Sequence, residues 1–176
     1  MESIAAGLAK YGIRVVRFEF PYMAARRTIG KQRPPDREPV LRETWLNVIR
    51  SVKTKRLCIG GKSMGGRIAS LIADEAGVAG LVCLGYPFHP VGKPDQLRIE
   101  HLKSIRTPAL IVQGTRDPFG SQEEVAGYSL SPAARLHWLP DGDHSFEPRK
   151  SSGRTSEQNL AEAVEVVAGF CSSPTK

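Results

Sequence analysis

Two kinds of apolar pattern take turns along this chain. One recurs every three to four residues, as on the buried face of a helix; the other is a short unbroken run bounded by Gly or Pro, as in a strand covered on both faces. Ile4, Leu8 and Tyr11, with Ala5 and Ala9, give a first amphipathic helix that Gly12 ends. The run Ile13–Phe20 reads as a strand, and Pro21 to Glu38, rich in Arg, Gly and Pro, reads as a loop that Pro34-Pro35-Asp36 keeps irregular. A helix starting near Pro39, a favoured first-turn residue, carries Leu41, Trp45, Val48, Ile49 and Val52 on one face. Arg56–Gly60 is the next strand, followed by a helix with Ile68, Leu71 and Ile72 at helical spacing. Ala79–Leu84 is a further strand, closed by Gly85.

Tyr86 to Lys103 is a long connection broken by Pro87, Pro90, Gly92 and Pro94, with a short helix over Leu97–Ile105. A strand through Ala109-Leu110-Ile111-Val112, a helix over Gln122–Ser129 and a strand through Leu136–Leu139 follow. The polar segment Pro148–Ser156 is expected to be mobile. A closing helix over Gln158–Phe170 presents Leu160, Ala163, Val164, Val167 and Ala168. Strand and helix in alternation predict an α/β chain, a mostly parallel sheet flanked by helices. No repeat and no composition break divides it, so residues 1–176 read as one domain.

The chain carries a G-x-S-x-G sequence, Gly61-Lys62-Ser63-Met64-Gly65, between a predicted strand and a predicted helix. That context makes it a candidate nucleophile elbow. Glycines let the backbone turn sharply, the serine hydroxyl projects above the sheet, and the N–H groups of the helix start favour developing negative charge. A serine needs a base to take its proton, and the base needs a carboxylate to orient it. Asp117 follows the strand through Val112 and a Gly turn; His144 follows the strand through Leu139 and the turn Pro140-Asp141-Gly142-Asp143. Ser63, Asp117 and His144 thus all fall just past the C-terminal ends of predicted parallel strands, the edge where open α/β sheets bind ligands. His89, His101 and His137 read as loop or packing residues.

Ser, then Asp, then His is the chain order of the α/β-hydrolase fold, and here the sequence resembles that superfamily over nearly its whole length. Within it the chain looks most like the small dienelactone-hydrolase-like proteins, and more closely like the group of testis-expressed and NSL-complex regulatory-subunit homologues. The phrases that carry the likeness are Gly60-Gly61-Lys62-Ser63-Met64-Gly65-Gly66-Arg67, Gly85-Tyr86-Pro87-Phe88-His89-Pro90, Gln113-Gly114-Thr115-Arg116-Asp117-Pro118-Phe119-Gly120 and Gly142-Asp143-His144-Ser145-Phe146. Dienelactone hydrolases proper use a cysteine nucleophile, where this chain has Ser63. The resemblance implies the fold and the triad positions but no particular substrate.

It also implies something this sequence lacks. Relatives carry strands ahead of the first helix, and the last of them leads into a His-Gly-rich loop that donates the second oxyanion N–H. Here only the Met64 N–H is available, and loss of one donor costs about 2.7–4 kcal/mol of transition-state stabilisation, roughly a hundred- to thousandfold in rate. The absent strand belongs between Ile13–Phe20 and Arg56–Gly60. Three readings follow: the two flanking strands pair directly, another chain fills the slot and the protein associates, or Met1 is an internal methionine of a longer protein. The last is the expectation adopted, because a helix that should follow a strand begins at residue 2.

The net charge of +7 is concentrated. Arg26 to Arg56 holds ten basic residues against Asp36, Glu38 and Glu43, and the rest of the chain is balanced. Trp45 is the only aromatic ring within the stretch and Tyr22 lies just ahead of it, too few for base stacking, so the stretch reads as a solvated face, not a nucleic-acid surface. No apolar run reaches membrane-spanning length, and Glu2, Lys10, Arg14 and Arg17 interrupt any leader-like stretch, so no membrane partner is expected. Cys58, Cys83 and Cys171 have neither metal nor redox spacing, which suits a cytoplasmic protein without a metal; Cys58 and Cys83 fall in strands, where cysteine packs as a small hydrophobe.

The expected function is hydrolysis of a small-molecule acyl ester through an acyl-serine. Ser63 attacks, His144 moves the proton, Asp117 orients the imidazole, and Met64 supplies an oxyanion contact. Such chemistry needs no cofactor. Tyr86, Phe88, Phe119 and Phe146 are candidates for an apolar pocket wall, although Tyr86, Phe88 and His89 equally suit packing of their loop. Lys62 and Arg67 flank the elbow, either to attract an anionic substrate or as a turn residue and an ion-paired arginine. The competing reading is a catalytically idle fold that binds a partner through its basic stretch.

Overall fold

The computed structural model describes residues 1–30 and 33–173. Among them, four strands form one parallel sheet: β1 (Cys58–Lys62), β2 (Gly80–Leu84), β3 (Ala109–Gly114) and β4 (Ala134–Leu139), in the order β1-β2-β3-β4. Helices α1 (Glu2–Lys10), α2 (Pro21–Ile29), α3 (Glu38–Ser51), α4 (Met64–Ala76), α5 (Gln122–Val125) and α6 (Ser156–Ser172) complete the fold.

β2 and β3 are buried throughout, as their unbroken apolar runs require. Successive residues point to opposite faces. Leu81, Cys83, Ala109 and Ile111 join Trp45 of α3 and Ile68 and Ile72 of α4 on one side. Val82, Leu84, Leu110 and Val112 join Leu8 of α1 and Val164 and Val167 of α6 on the other. The α/β architecture is therefore the one the sequence predicts. Asp74, in the last turn of α4, fastens that helix to the approach of β3 by accepting from the Thr107 hydroxyl and N–H, both at 2.7 Å, and from the Arg106 N–H at 3.1 Å.

The N-terminal part differs from expectation. Ile13–Phe20 is not a strand: it forms no ladder among the described residues, and the outer edge of β1 pairs with none. A strand is made by its partner, and among the described residues none lies beside this segment. Val15 and Val16 consequently stay exposed, while Phe18 and Phe20 pack inward on Trp45 and on each other. Pro21–Glu38 is not all loop. Pro21 stands at the first turn of α2, where its missing N–H costs nothing, Met23 to Arg27 are mostly good helix formers, and left-handed Gly30 closes the helix. Lys31 lies outside the described residues.

The smaller elements are shorter than their patterns suggest. Leu97–Ile105 holds one 3-10 turn, Glu100–Lys103, and α5 stops at Val125 just before Gly127. Pro148–Ser156 contains a 3-10 turn over Lys150–Ser152. α6 starts earlier than its apolar face does, because Thr155 and Gln158 cap it reciprocally. Among the described residues no helix is long and apolar enough to cross a membrane.

Candidate active site

All four strands run the same way, so the ends of β1, β3 and β4 share one edge of the sheet. Ser63 is the single residue between β1 and α4. Its backbone sits at φ 51°, ψ −121°, a conformation that costs a residue with a Cβ about 1–3 kcal/mol. Ser63 N–H donates to the Leu84 carbonyl at 2.9 Å, and the Ser63 carbonyl accepts from Arg67 N–H at 3.0 Å, so sheet and helix both hold the turn. The N–H of Met64, first in α4, has no acceptor among the described residues and belongs to the unpaired group that opens any helix.

The sharp turn depends on glycine. A Cβ on Gly61 would lie 2.7 Å from the carbonyl carbon of Gly65, and one on Gly66 would lie 2.6 Å from the Gly61 oxygen. Strand and helix therefore touch backbone to backbone at the motif.

His144 reaches Ser63 from the loop after β4, and Asp117 reaches His144 from the loop after β3. His144 Nε2 lies 3.0 Å from Ser63 Oγ, and His144 Nδ1 lies 2.8 Å from Asp117 Oδ2. With a neutral ring protonated on Nδ1, the imidazole donates to the carboxylate and accepts from the serine hydroxyl. Asp117 has no exposed surface. Its charge is met by the Gln113 side-chain amide, donating to Oδ2 at 2.9 Å, and by the Phe119 N–H, donating to Oδ1 at 2.9 Å. Burying a carboxylate without such donors is costly.

Several residues that sequence reasoning passed over build this arrangement. Gln113, fully buried, accepts the Tyr86 N–H at 2.7 Å, which fixes which end of its amide faces Asp117. Gly85, at φ 62°, leaves room for the ring: a Cβ there would stand 3.3 Å from His144 Nδ1. Asn159 of α6 donates to the carbonyls of Phe146 and Pro140 at 2.8 and 3.3 Å, holding both ends of the histidine loop. Buried polar side chains of this kind leave no periodic trace in a sequence.

Lys62 also serves the loop. Its ammonium donates to the His144 carbonyl and stands 4.9 Å from the centre of the Phe146 ring. Burial lowers its pKa, and Asp117 and Asp143 oppose the shift. This engagement fits neither a solvent-facing turn residue nor a free attractor of anions. Arg67 pairs with Glu38 at 3.2 Å, as the ion-paired reading has it.

The aromatic candidates divide. Phe119 is half-buried with its ring centre 4.4 Å from that of His144. Tyr86 and Phe88 have no exposed surface and lie in the core, so neither walls an open pocket; Tyr86 Oη donates to the Arg98 carbonyl at 2.8 Å as the connection folds back. His89 is buried with them. Phe146, at 4 % exposure, packs under Lys62 into the second core cluster. His137 faces Glu162 of α6 at 2.8 Å, and the Ser70 hydroxyl lies 2.8 Å from His101. Within the basic stretch, Arg27 pairs with Glu19 and Arg42 with Glu75, while Arg26 lies over the Tyr22 ring. Among the described residues no three His, Cys, Asp or Glu side chains gather as metal ligands do.

A family model described as alpha/beta hydrolase domain matches residues 1–172. Carboxymethylenebutenolidase of Pseudomonas sp. (strain P51) is 30% identical over 101 residues, covering 55% of this chain and 40% of that protein. The chain thus spans about two fifths of the length of this curated relative. Among solved structures, an alpha-beta serine hydrolase homologue from Coxiella burnetii aligns with a TM-score of 0.66 at 23% identity, over 96% of this chain and 76% of that one. A serine hydrolase without a lid from Xanthomonas campestris aligns with a TM-score of 0.66 at 20% identity, over 99% and 74%. The solved structures carry the fold alone, and the likeness to a carboxymethylenebutenolidase is over 40% of that protein. The narrower likeness to the testis-expressed and NSL-complex group rests on the quoted phrases alone.

Proposed function

The chain belongs to the alpha/beta hydrolase domain family, and from that premise we propose that it hydrolyses carboxylic esters or related acyl compounds by a Ser63-His144-Asp117 triad. The observation that carries the reading is the unbroken hydrogen-bond path from Ser63 Oγ through both ring nitrogens of His144 to buried Asp117, at 3.0 and 2.8 Å. Ser63 Oγ attacks the acyl carbon as Nε2 takes its proton. The oxyanion meets the Met64 N–H at the start of α4. Collapse expels the alcohol, which receives the proton from Nε2, and leaves an acyl-serine. Water, deprotonated by the same nitrogen, then releases the acid. Asp117 holds the tautomer and faces the imidazolium. Phe119 offers the acyl or alcohol group an apolar contact.

A fluorophosphonate probe tests this on the chain as it stands. The activated serine displaces fluoride and becomes a stable phosphonyl ester. Labelling of the folded wild type at Ser63, lost in Ser63→Ala, is the expected result; a folded wild type that stays unlabelled removes the catalytic reading. The second reading, a partner-binding fold with an idle site, is favoured by the edge of β1, which is unpaired among the described residues. It expects partner affinity to survive Ser63→Ala and to fall when Arg26, Arg27 and Lys31 are neutralised.

Lys62→Met separates positioning from packing at the elbow. Methionine keeps the apolar stem and removes the ammonium, so the His144 carbonyl loses a donor from β1. Small misplacements of a catalytic group cost on the order of tenfold to a hundredfold. We expect kcat on a p-nitrophenyl ester to fall by about that factor with KM little changed. An unchanged kcat would mean that the Asn159 contacts alone hold the loop.

A further inference from the structure

The loop that carries His144 is bent against the preference of its own residues. Asp141 and Phe146, on either side of the histidine, hold φ of 54° and 72°, the left-handed region that a residue with a Cβ rarely adopts. Such conformations persist only where the surroundings over-determine them. One group that does so is the fully buried Asn159 amide of α6. Its NH2 donates to the Phe146 carbonyl at 2.8 Å and to the Pro140 carbonyl at 3.3 Å. Both amide hydrogens are thereby engaged by the loop, and the amide oxygen needs a donor from elsewhere.

That donor is Arg154, in the polar segment ahead of α6. Its Nε lies 2.6 Å from Asn159 Oδ1. A guanidinium only donates, so it must meet the amide oxygen, which leaves the NH2 facing the two carbonyls. Arg154 Nη2 donates in turn to Glu162 Oε2, and the other oxygen of Glu162, Oε1, lies 2.8 Å from His137 Nε2. Arg154 and Glu162 are 29% and 28% exposed, so the pair is sheltered, unlike an ion pair screened by solvent. A hydrogen-bonded line thus runs from His137 on β4 through Glu162, Arg154 and Asn159 to the carbonyls that bracket His144.

We propose that Arg154 is a positioning residue for His144, acting through Asn159; the role rests on the catalytic reading of Ser63, His144 and Asp117. Without the guanidinium, Asn159 Oδ1 is a buried acceptor with no partner, a costly state. The amide relieves it by turning toward another donor or by drawing in water. Either response weakens the donation to Phe146 and Pro140, which lets the loop relax from its left-handed conformations. His144 then leaves the line between Asp117 and Ser63. The hydrogen bonds of Arg154 go to Asn159, Glu162 and Ser152, none of them at the strand ends that would meet substrate. Its loss therefore falls on the chemical step and not on substrate binding.

The test compares Arg154→Met, which keeps an apolar stem and removes the donors, with wild type and with Arg135→Met, whose guanidinium lies over the Phe170 ring. On a p-nitrophenyl ester the expected result is a kcat about tenfold to a hundredfold lower in Arg154→Met with KM within about twofold, and Arg135→Met unchanged. Added to Asn159→Ala, Arg154→Met should lower kcat no further, because the arginine acts through the amide. A second readout needs no hydrolysis. In the full chain carrying isotope-labelled histidine, the Cε1–H resonance that disappears in His144→Gln should shift in Arg154→Met and stay in place in Arg135→Met. A kcat for Arg154→Met within about twofold of wild type, a loss that appears in KM instead, losses that add in the double variant, or an unmoved His144 resonance would each overturn the proposal. If the wild type neither hydrolyses the ester nor takes a fluorophosphonate label, the catalytic reading falls by itself, and the His144 resonance still decides whether Arg154 sets the histidine.

Discussion

Asp117→Asn lowers kcat on a p-nitrophenyl ester about ten-thousandfold with little change in KM, the scale of loss seen when a triad imidazole is held in the wrong tautomer. The reason lies in what surrounds the carboxylate. Its oxygens accept from His144 Nδ1, the Gln113 amide and the Phe119 N–H. An asparagine has one oxygen and one NH2. If the NH2 takes the Oδ1 place, it meets the Phe119 N–H. If it takes the Oδ2 place, it meets the Gln113 NH2, and Gln113 cannot turn over while its own oxygen accepts the Tyr86 N–H. In that second orientation the NH2 donates to Nδ1 and drives the ring proton to Nε2, which then points at the serine and cannot receive its proton. The first orientation keeps the tautomer but loses the negative charge facing the imidazolium. Steady-state kinetics on the folded variant, with the rate of fluorophosphonate labelling as a second measure, check the prediction. A kcat within tenfold of wild type would remove Asp117 from the mechanism.

The three residues of this relay were legible because each carries a local mark: a G-x-S-x-G turn at a strand end, and an acid and a histidine after Gly turns at two others. The parallel sheet was legible for a similar reason, since runs such as Leu110-Ile111-Val112 are apolar without alternation. The residues that fix the relay carry no such mark. Gln113 and Asn159 are buried amides whose meaning lies in carbonyls and carboxylates elsewhere in the chain. Tyr86 and Phe88 look like pocket aromatics until the connection folds back and covers them. Ile13–Phe20 has the composition of a strand and no partner to make it one. Local chemistry was readable; long-range satisfaction of buried polar groups was not.

Gly61→Ala tests the other foundation of the site, the backbone contact beneath Ser63. The added methyl would stand 2.7 Å from the Gly65 carbonyl carbon and 2.8 Å from the Gly66 nitrogen. Neither atom belongs to a side chain that can rotate away. Relief requires the first turn of α4 to lift from β1, and that turn carries the Met64 N–H. Overpacking of this kind costs typically about 1–3 kcal/mol of stability. A displaced oxyanion donor costs on the order of a hundred- to thousandfold in kcat. The expected result is therefore a lower urea midpoint together with a kcat reduced by at least about a hundredfold in the fraction still folded at 25 °C. Gly65→Ala supplies the contrast: a Cβ there meets nothing within 4 Å, so its stability should stay within about 0.5 kcal/mol of wild type. If Gly61→Ala were as stable as Gly65→Ala, strand and helix would have room to part, and the tight turn could not be what holds Ser63 in its strained conformation. If it unfolds more easily yet keeps its kcat, the Met64 N–H contributes nothing to the oxyanion, and the reading of α4 as the source of that donor falls with it.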